Sequence, residues 1–155
     1  MTLSKSGSFN YNGNGKNERI LFQYPSNIQW TCIRCGDCCK DLHHHTRRVL
    51  LTCQDLEIIS KTTGLDDFYE STEEKTFEAV MKKKGGECVF LLDGSCSIYS
   101  SRALLCRMYP FWVERDEVGF LIKMDKLCRG IGKGNKLDEI FFINLLNDAL
   151  HSMGY

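Results

Sequence analysis

Eight cysteines in this chain are spaced in a way that suits metal binding. Four fall in TCIRCGDCCK, residues 31–40, and four follow later. Structural zinc sites and iron–sulfur clusters are each held by four protein ligands, so eight cysteines predict two neighbouring sites that share the first loop. Adjacent side chains in an extended loop point apart, so neighbouring cysteines can serve different sites, and the spacing does not assign them. The predicted ligands are Cys32, Cys35, Cys38, Cys39, Cys88, Cys96, Cys106 and Cys128.

The spacing leaves the metal open between zinc and an iron–sulfur cluster. Zinc sites typically use pairs of cysteines separated by two to four residues, whereas a C-x2-C-x2-C triple is the pattern that wraps a cubane cluster. The triple is present at Cys32, Cys35 and Cys38, but the x3-C-P that follows it in bacterial ferredoxins is absent. The pattern therefore favours iron–sulfur only slightly.

Composition and charge limit the cellular compartments and the classes of partner expected for this protein. Among 155 residues, 20 are basic and 20 acidic, which argues against a nucleic-acid partner. The beginning of the chain lacks the apolar run of a secretory signal, and no segment approaches the ~18–20 apolar residues of a membrane span. We therefore expect a cytoplasmic protein with no membrane partner, whose reduced thiols bind metal ions rather than form disulfides. Whether the protein also has a protein partner is left open.

Several other residues are interpreted without a role as metal ligands. Four bases next to cysteines, at positions 34, 40, 107 and 129, are expected to offset thiolate charge around the metal. Cys53 lies inside a predicted helix, where a lone cysteine is more often a small buried hydrophobe than a ligand. The histidines at positions 43–45 and the lysines at 82–84 are interpreted as solvated segments. No arrangement of catalytic residues is evident, so whether the protein is an enzyme is left open.

The sequence predicts that these cysteines are positioned by a small α+β fold of a single domain. We expect short strands, hairpins and a few helices, with the cysteine loops held together by metal. Residues 1–26 are rich in Ser, Gly and Asn and are expected to form a flexible arm, with a hairpin at NGNG as an alternative. Residues 27–155 are expected to form the metal-binding domain. Helices are predicted after Thr52, over 66–74, over 101–108 and at the C-terminus. A hairpin is predicted over 111–123, and CRGIGKGN is expected to be a loop.

Three segments of the sequence together resemble the CxxCxxCC, or YkgJ-type, cysteine-cluster family of zinc- or iron-chelating domains. They are WTCIRCGDCC, CVFLLDGSCSIYSSRALLCRMYPF and CRGIGKG, and the resemblance covers about residues 28–132. Ala103 stands where that family usually has proline. The resemblance implies metal chelation by the eight cysteines. It also leaves open a cluster-dependent enzyme related to flagellin lysine methylases, whose chains are longer, and a metal carrier or adaptor.

Overall fold

A computed structural model describes residues 3–43 and 45–155, and these residues adopt the predicted small α+β fold. They pack into two compact units. The first unit comprises the described residues up to Ile33 together with Met108–Tyr155, and the second unit comprises Arg34–Arg107. No helix in the described part of the chain is long and apolar enough to cross a membrane.

The strands are short except for the first two. In chain order they are β1 Ser4–Gly13, β2 Lys16–Pro25, β3 Gln29–Trp30, β4 Leu50–Leu51, β5 Tyr69–Ser71, β6 Ala79–Met81, β7 Lys83–Lys84, β8 Glu87–Cys88, β9 Leu91–Leu92, β10 Ser95–Cys96, β11 Phe111–Arg115, β12 Phe120–Met124 and β13 Ile131–Lys136. The helices are α1 Cys53–Thr63, α2 Leu104–Met108 and α3 Glu139–Ser152, with 3-10 turns at Asp37–Cys39 and Tyr99–Ser101.

The first unit is a four-stranded sheet in the order β1-β2-β12-β11, packed against α3. Strands β1 and β2 form a hairpin that turns at Asn14 and Gly15, both with positive φ, as the NG pair predicts. Tyr11 and Phe142 are fully buried in its core. The expectation that residues 1–26 are a poorly packed arm is therefore wrong for this hairpin, because its alternate side chains enter the core.

The second unit is built around α1 and the three-stranded sheet β4-β6-β5. Helix α1 begins at the predicted N-cap, Thr52, in a capping box with Asp55, and ends at Gly64 in the left-handed conformation, as helix-terminus preferences predict. Leu51 and Ile59 are fully buried in the core. Two small two-stranded sheets, β7-β8 and β9-β10, extend from it.

Two predicted elements are wrong because each forms a strand with a partner outside the predicted segment. The segment predicted as a helix over 66–74 contains β5, which pairs with β6. The predicted glycine-rich loop at CRGIGKGN contains most of β13, which pairs with β3. The terminal helix is confirmed; Phe142 is buried in it, and Ile140 is 65% exposed.

Candidate metal centre

The first cysteine loop of the second unit is fixed by a backbone contact that only glycine permits. Gly36 has φ +78, and a Cβ there would lie 2.6 Å from the carbonyl oxygen of Gly94. The chain then makes a 3-10 turn in which the amide of Cys39 donates to the Gly36 oxygen at 3.0 Å. Cys35, Cys38 and Cys39 thus lie against the turn that joins β9 to β10, and Cys96 follows that turn in β10.

Strand β8 runs beside the end of the same loop. Lys40 and Glu87 form an antiparallel bridge, and the amide of Asp41 donates to the Gly86 oxygen at 2.7 Å. Each bridging residue is a sequence neighbour of a cysteine, Cys39 and Cys88 respectively. The bridge therefore aligns the first cysteine loop with the second cysteine segment.

Cys106 is carried by the one-and-a-half-turn helix α2, which is anchored by a buried carboxylate. The amide of Leu104 donates to Asp55 Oδ1 at 2.9 Å, while Asp55 Oδ2 accepts from the amide of Thr52 at 2.9 Å. Asp55 is 2% exposed. The N-terminus of α1 and the first turn of α2 are thus held by one side chain, and this fixes the segment on which Cys106 lies.

Three thiols in this unit shift one another's pKa values. Hydrogen bonding with the Cys39 thiol lowers the pKa of Cys38 to about 7 and that of Cys96 to about 6, and the same interactions raise the pKa of Cys39. Burial is the main cause that raises the pKa of Cys88, and it raises that of Cys106 to about 12. The charges of Cys38 and Cys96 also act on those two thiols, so all five thiols lie in one region.

Two arginines that the sequence analysis did not single out lie against this region. Arg47 donates from Nε to the Cys38 carbonyl oxygen at 3.1 Å and from Nη2 to that of Leu105 at 3.4 Å, so it joins two cysteine-bearing segments. Arg102 donates from Nε to the Tyr99 oxygen at 2.8 Å, and its guanidinium lies 3.7 Å from the Tyr99 ring centre. Both charges contribute to the lowered pKa of Cys38.

Three of the four bases predicted to surround the metal have other described contacts. Arg34 lies 3.8 Å from the ring centre of Tyr99, and Lys40 is 3.7 Å from Asp37. Arg107 donates to the Arg102 oxygen at 2.9 Å. Arg47 lies eight positions after Cys39, the nearest candidate cysteine in the sequence, so proximity along the chain could not have identified it.

The remaining two candidate cysteines, Cys32 and Cys128, belong to the first unit. Trp30 pairs with Ile131 between β3 and β13, and the amide of Thr31 donates to the Gly130 oxygen at 3.4 Å. Both cysteines, at least half-buried, follow or precede these paired residues by two or three positions. The pairing therefore aligns the two segments that carry them. That all eight cysteines converge in one region remains a prediction.

Three further expectations have different outcomes. Cys53 is the first residue of α1 and is exposed, so the prediction of a buried cysteine is wrong, and its exclusion as a ligand remains a prediction. His43 and His45 are exposed, as expected, while His44 lies outside the described residues. Among residues 3–43 and 45–155, no three His, Cys, Asp or Glu side chains already have the arrangement of a metal site. The candidate thiols would therefore need side-chain rotation to share an ion.

Comparisons with known proteins place these residues in context. The family CxxCxxCC, described as "Putative zinc- or iron-chelating domain", matches residues 31–129, which include all eight candidate cysteines. Uncharacterized protein MJ0661 of Methanocaldococcus jannaschii is 31% identical over an alignment of 135 positions, and the match covers 81% of this chain and 72% of that protein. No solved structure matches.

Proposed function

Because the chain belongs to the CxxCxxCC family of zinc- or iron-chelating domains, we propose that it binds these metals through thiolates of the eight predicted cysteines. The metal is zinc or the iron of an iron–sulfur cluster. The ligands proposed are Cys32, Cys35, Cys38, Cys39, Cys88, Cys96, Cys106 and Cys128. Which of them share a site stays open.

The observation that carries this proposal is the backbone geometry that brings three cysteine segments together. Gly36 packs against Gly94, two residues before Cys96, and Lys40 forms a bridge with Glu87, next to Cys88. Side-chain rotations could bring thiols on these segments onto one ion or cluster, and soft thiolates select zinc and iron–sulfur clusters over hard cations. The lowered pKa values of Cys38 and Cys96 also fit, because a metal binds the thiolate form. The donor set therefore fits the group that the family implies.

The surroundings of these thiols favour the negative charge that metal binding creates. Bound thiolates exceed the positive charge of the metal, and Arg47 and Arg102 both lie close enough to lower the pKa of Cys38. Arg47 also donates to the carbonyl oxygens of Cys38 and Leu105. It therefore joins the segment of Cys38 to the segment of Cys106. When bound, zinc would supply a structural crosslink, and an iron–sulfur cluster would add one-electron chemistry.

Metal and sulfide analysis of protein purified anaerobically under reducing conditions tests the proposal and identifies the metal. Zinc without sulfide and without visible absorption would identify zinc sites, whereas iron with acid-labile sulfide and a brown absorption would identify iron–sulfur clusters. The proposal fails if the protein retains neither metal and takes up neither zinc nor iron with sulfide on reconstitution.

The ninth cysteine supplies a matched control. We expect Cys39→Ser to lose at least one metal site, because Cys39 is a proposed ligand on the segment that the Lys40–Glu87 bridge aligns with Cys88. We expect Cys53→Ser, at the exposed start of α1, to retain the full metal content. Equal metal loss in both variants would show that the set of eight is wrong.

A further inference from the structure

One buried side-chain donor in the described part of the chain has no acceptor, and it lies near the cysteines of the first unit in the sequence. Trp30 Nε1 is inaccessible to solvent and makes no hydrogen bond. The indole ring is held by apolar packing instead, with ring centres 5.7 Å from Phe111 and 6.2 Å from Phe141. A buried N–H without a partner costs about 1–3 kcal/mol, and an indole nitrogen can only donate. The packing therefore holds this N–H where it needs an acceptor.

The position of the N–H is fixed by the pairing of β3 with β13. A Cβ built on Gly130 would lie 3.0 Å from Trp30 Nε1 and closer still to the Thr31 oxygen, so only glycine allows the indole to approach here. Gly130 belongs to the turn in which the amide of Ile131 donates to the Cys128 oxygen at 3.1 Å. The indole nitrogen thus lies over the turn that begins at Cys128.

We propose that Trp30 is a positioning residue of the metal centre, and that its indole N–H donates to a thiolate sulfur of Cys32 or Cys128 in the metal-bound protein. This inference rests on the proposed function, and it adds a residue that binds no metal itself. Cys32 is two residues from Trp30, and Cys128 is two residues from Gly130. The two sulfurs are the strongest potential anions on these paired segments.

The chemistry explains why the bond depends on metal. A neutral thiol is a weak acceptor, whereas hydrogen bonds to an ionised acceptor are roughly twice as strong as neutral ones. A metal keeps its coordinating thiol deprotonated, so it converts the poor acceptor into a good one. In return, the N–H orients the sulfur and offsets its charge, as other residues around metal ligands do.

Indole resonances of ¹⁵N-tryptophan-labelled protein test this directly, with zinc as the probe and a reductant present throughout. The chain has two tryptophans, and Trp112 is an internal control because its exposed indole donates to Glu114 at 3.0 Å. We expect saturating zinc to move the Trp30 indole proton downfield and to slow its hydrogen exchange roughly fivefold or more, as one gained hydrogen bond implies. The Trp112 indole should not change.

A pair of variants tests the effect on affinity. Trp30→Phe removes the N–H and keeps an aromatic ring against Phe111 and Phe141, so we expect zinc affinity, measured by competition with a chromophoric chelator, to fall about 10- to 100-fold. Trp112→Phe should bind zinc like the wild type. If Trp30→Phe does not fold, the resonances of the wild-type protein decide the question alone.

The outcomes separate this inference from the proposed function. Normal zinc binding with an unmoved Trp30 resonance would overturn the inference and leave the proposed function standing. The inference is overturned in the same way if the Trp30 indole proves to be bonded to a buried water with and without zinc. Failure of the wild-type protein to bind zinc or iron would overturn the proposed function and this inference together.

Discussion

Replacing Asp55 should loosen α2 and weaken metal binding through Cys106. The two carboxylate oxygens of Asp55 accept from the amides of Thr52 and Leu104, each at 2.9 Å. Removing the carboxylate in Asp55→Ala leaves two buried amides without acceptors, and each such loss costs about 1–3 kcal/mol. The expected loss of unfolding free energy is therefore about 2–6 kcal/mol. The Arg107 contact adds little, because it is 3.9 Å long and that side chain is 30% exposed.

A graded series makes this prediction sharper. Asp55→Asn has nearly the same shape but retains only one acceptor oxygen, so it should lose about 1–3 kcal/mol. Glu57→Ala is a matched control on the same helix, because Glu57 is exposed and exposed substitutions usually change stability by less than about 0.5 kcal/mol. The predicted order of stability is wild type and Glu57→Ala, then Asp55→Asn, then Asp55→Ala.

Two measurements check the series. Urea unfolding of the zinc-loaded, reduced proteins gives the order of stability, and hydrogen exchange at the Leu104 amide gives the local effect. One lost bond worth about 1–3 kcal/mol corresponds to exchange that is roughly 5- to 150-fold faster. If Asp55→Ala behaves like Glu57→Ala, the carboxylate does not anchor α2. If stability falls while zinc affinity is unchanged, Asp55 supports the fold without positioning Cys106.

Two further predictions concern the second unit. Gly36→Ala should lower the free energy of unfolding by about 1–2 kcal/mol because of its left-handed backbone, and further because the Gly94 oxygen lies 2.6 Å from the new Cβ; it should also weaken zinc binding. Gly64→Ala is the control, because a Cβ there has nothing within 4 Å, so only the backbone cost should appear in urea unfolding. Equal losses in the two variants would contradict the packing argument. In metal-free, reduced protein, iodoacetamide should modify Cys96 with a half-maximal rate near pH 6 and leave Cys106 unmodified at neutral pH, because the pKa of Cys96 is lowered to about 6 and that of Cys106 is raised to about 12. Peptide mass mapping measures both rates, and similar rates at the two cysteines would refute the assignment.

The features that could be predicted from the sequence are those set by local signals. Thr52 and Gly64 mark the ends of α1 because capping depends on residues within one turn. The NG pair predicts the turn of the first hairpin for the same reason. The cysteine spacing likewise indicates which thiols are candidate ligands, and their role as ligands stays a prediction.

The features that escaped prediction depend on partners outside the local segment of sequence. Strand β5 forms because it pairs with β6, although its own residues permit a helix. Arg47 reaches Cys38 and Leu105 only after the chain has folded, so its neighbours in sequence give no signal. Trp30 is part of a recognisable cysteine motif, but its unpaired N–H is a consequence of packing against Phe111 and Phe141.

The contacts around the thiols of the second unit indicate what metal must do there. Gly36, Asp55 and Arg47 hold the backbone segments that carry Cys38, Cys39 and Cys106 through bonds that need no metal. The side chains are not yet in a coordinating arrangement within the described residues. Metal binding would therefore displace thiol protons and rotate the sulfurs, which is a smaller change than folding the segments. In zinc-finger peptides the binding free energy of a thiolate site is about 10–16 kcal/mol, and it drives folding. Here much of that free energy would instead be available for tight retention of the metal.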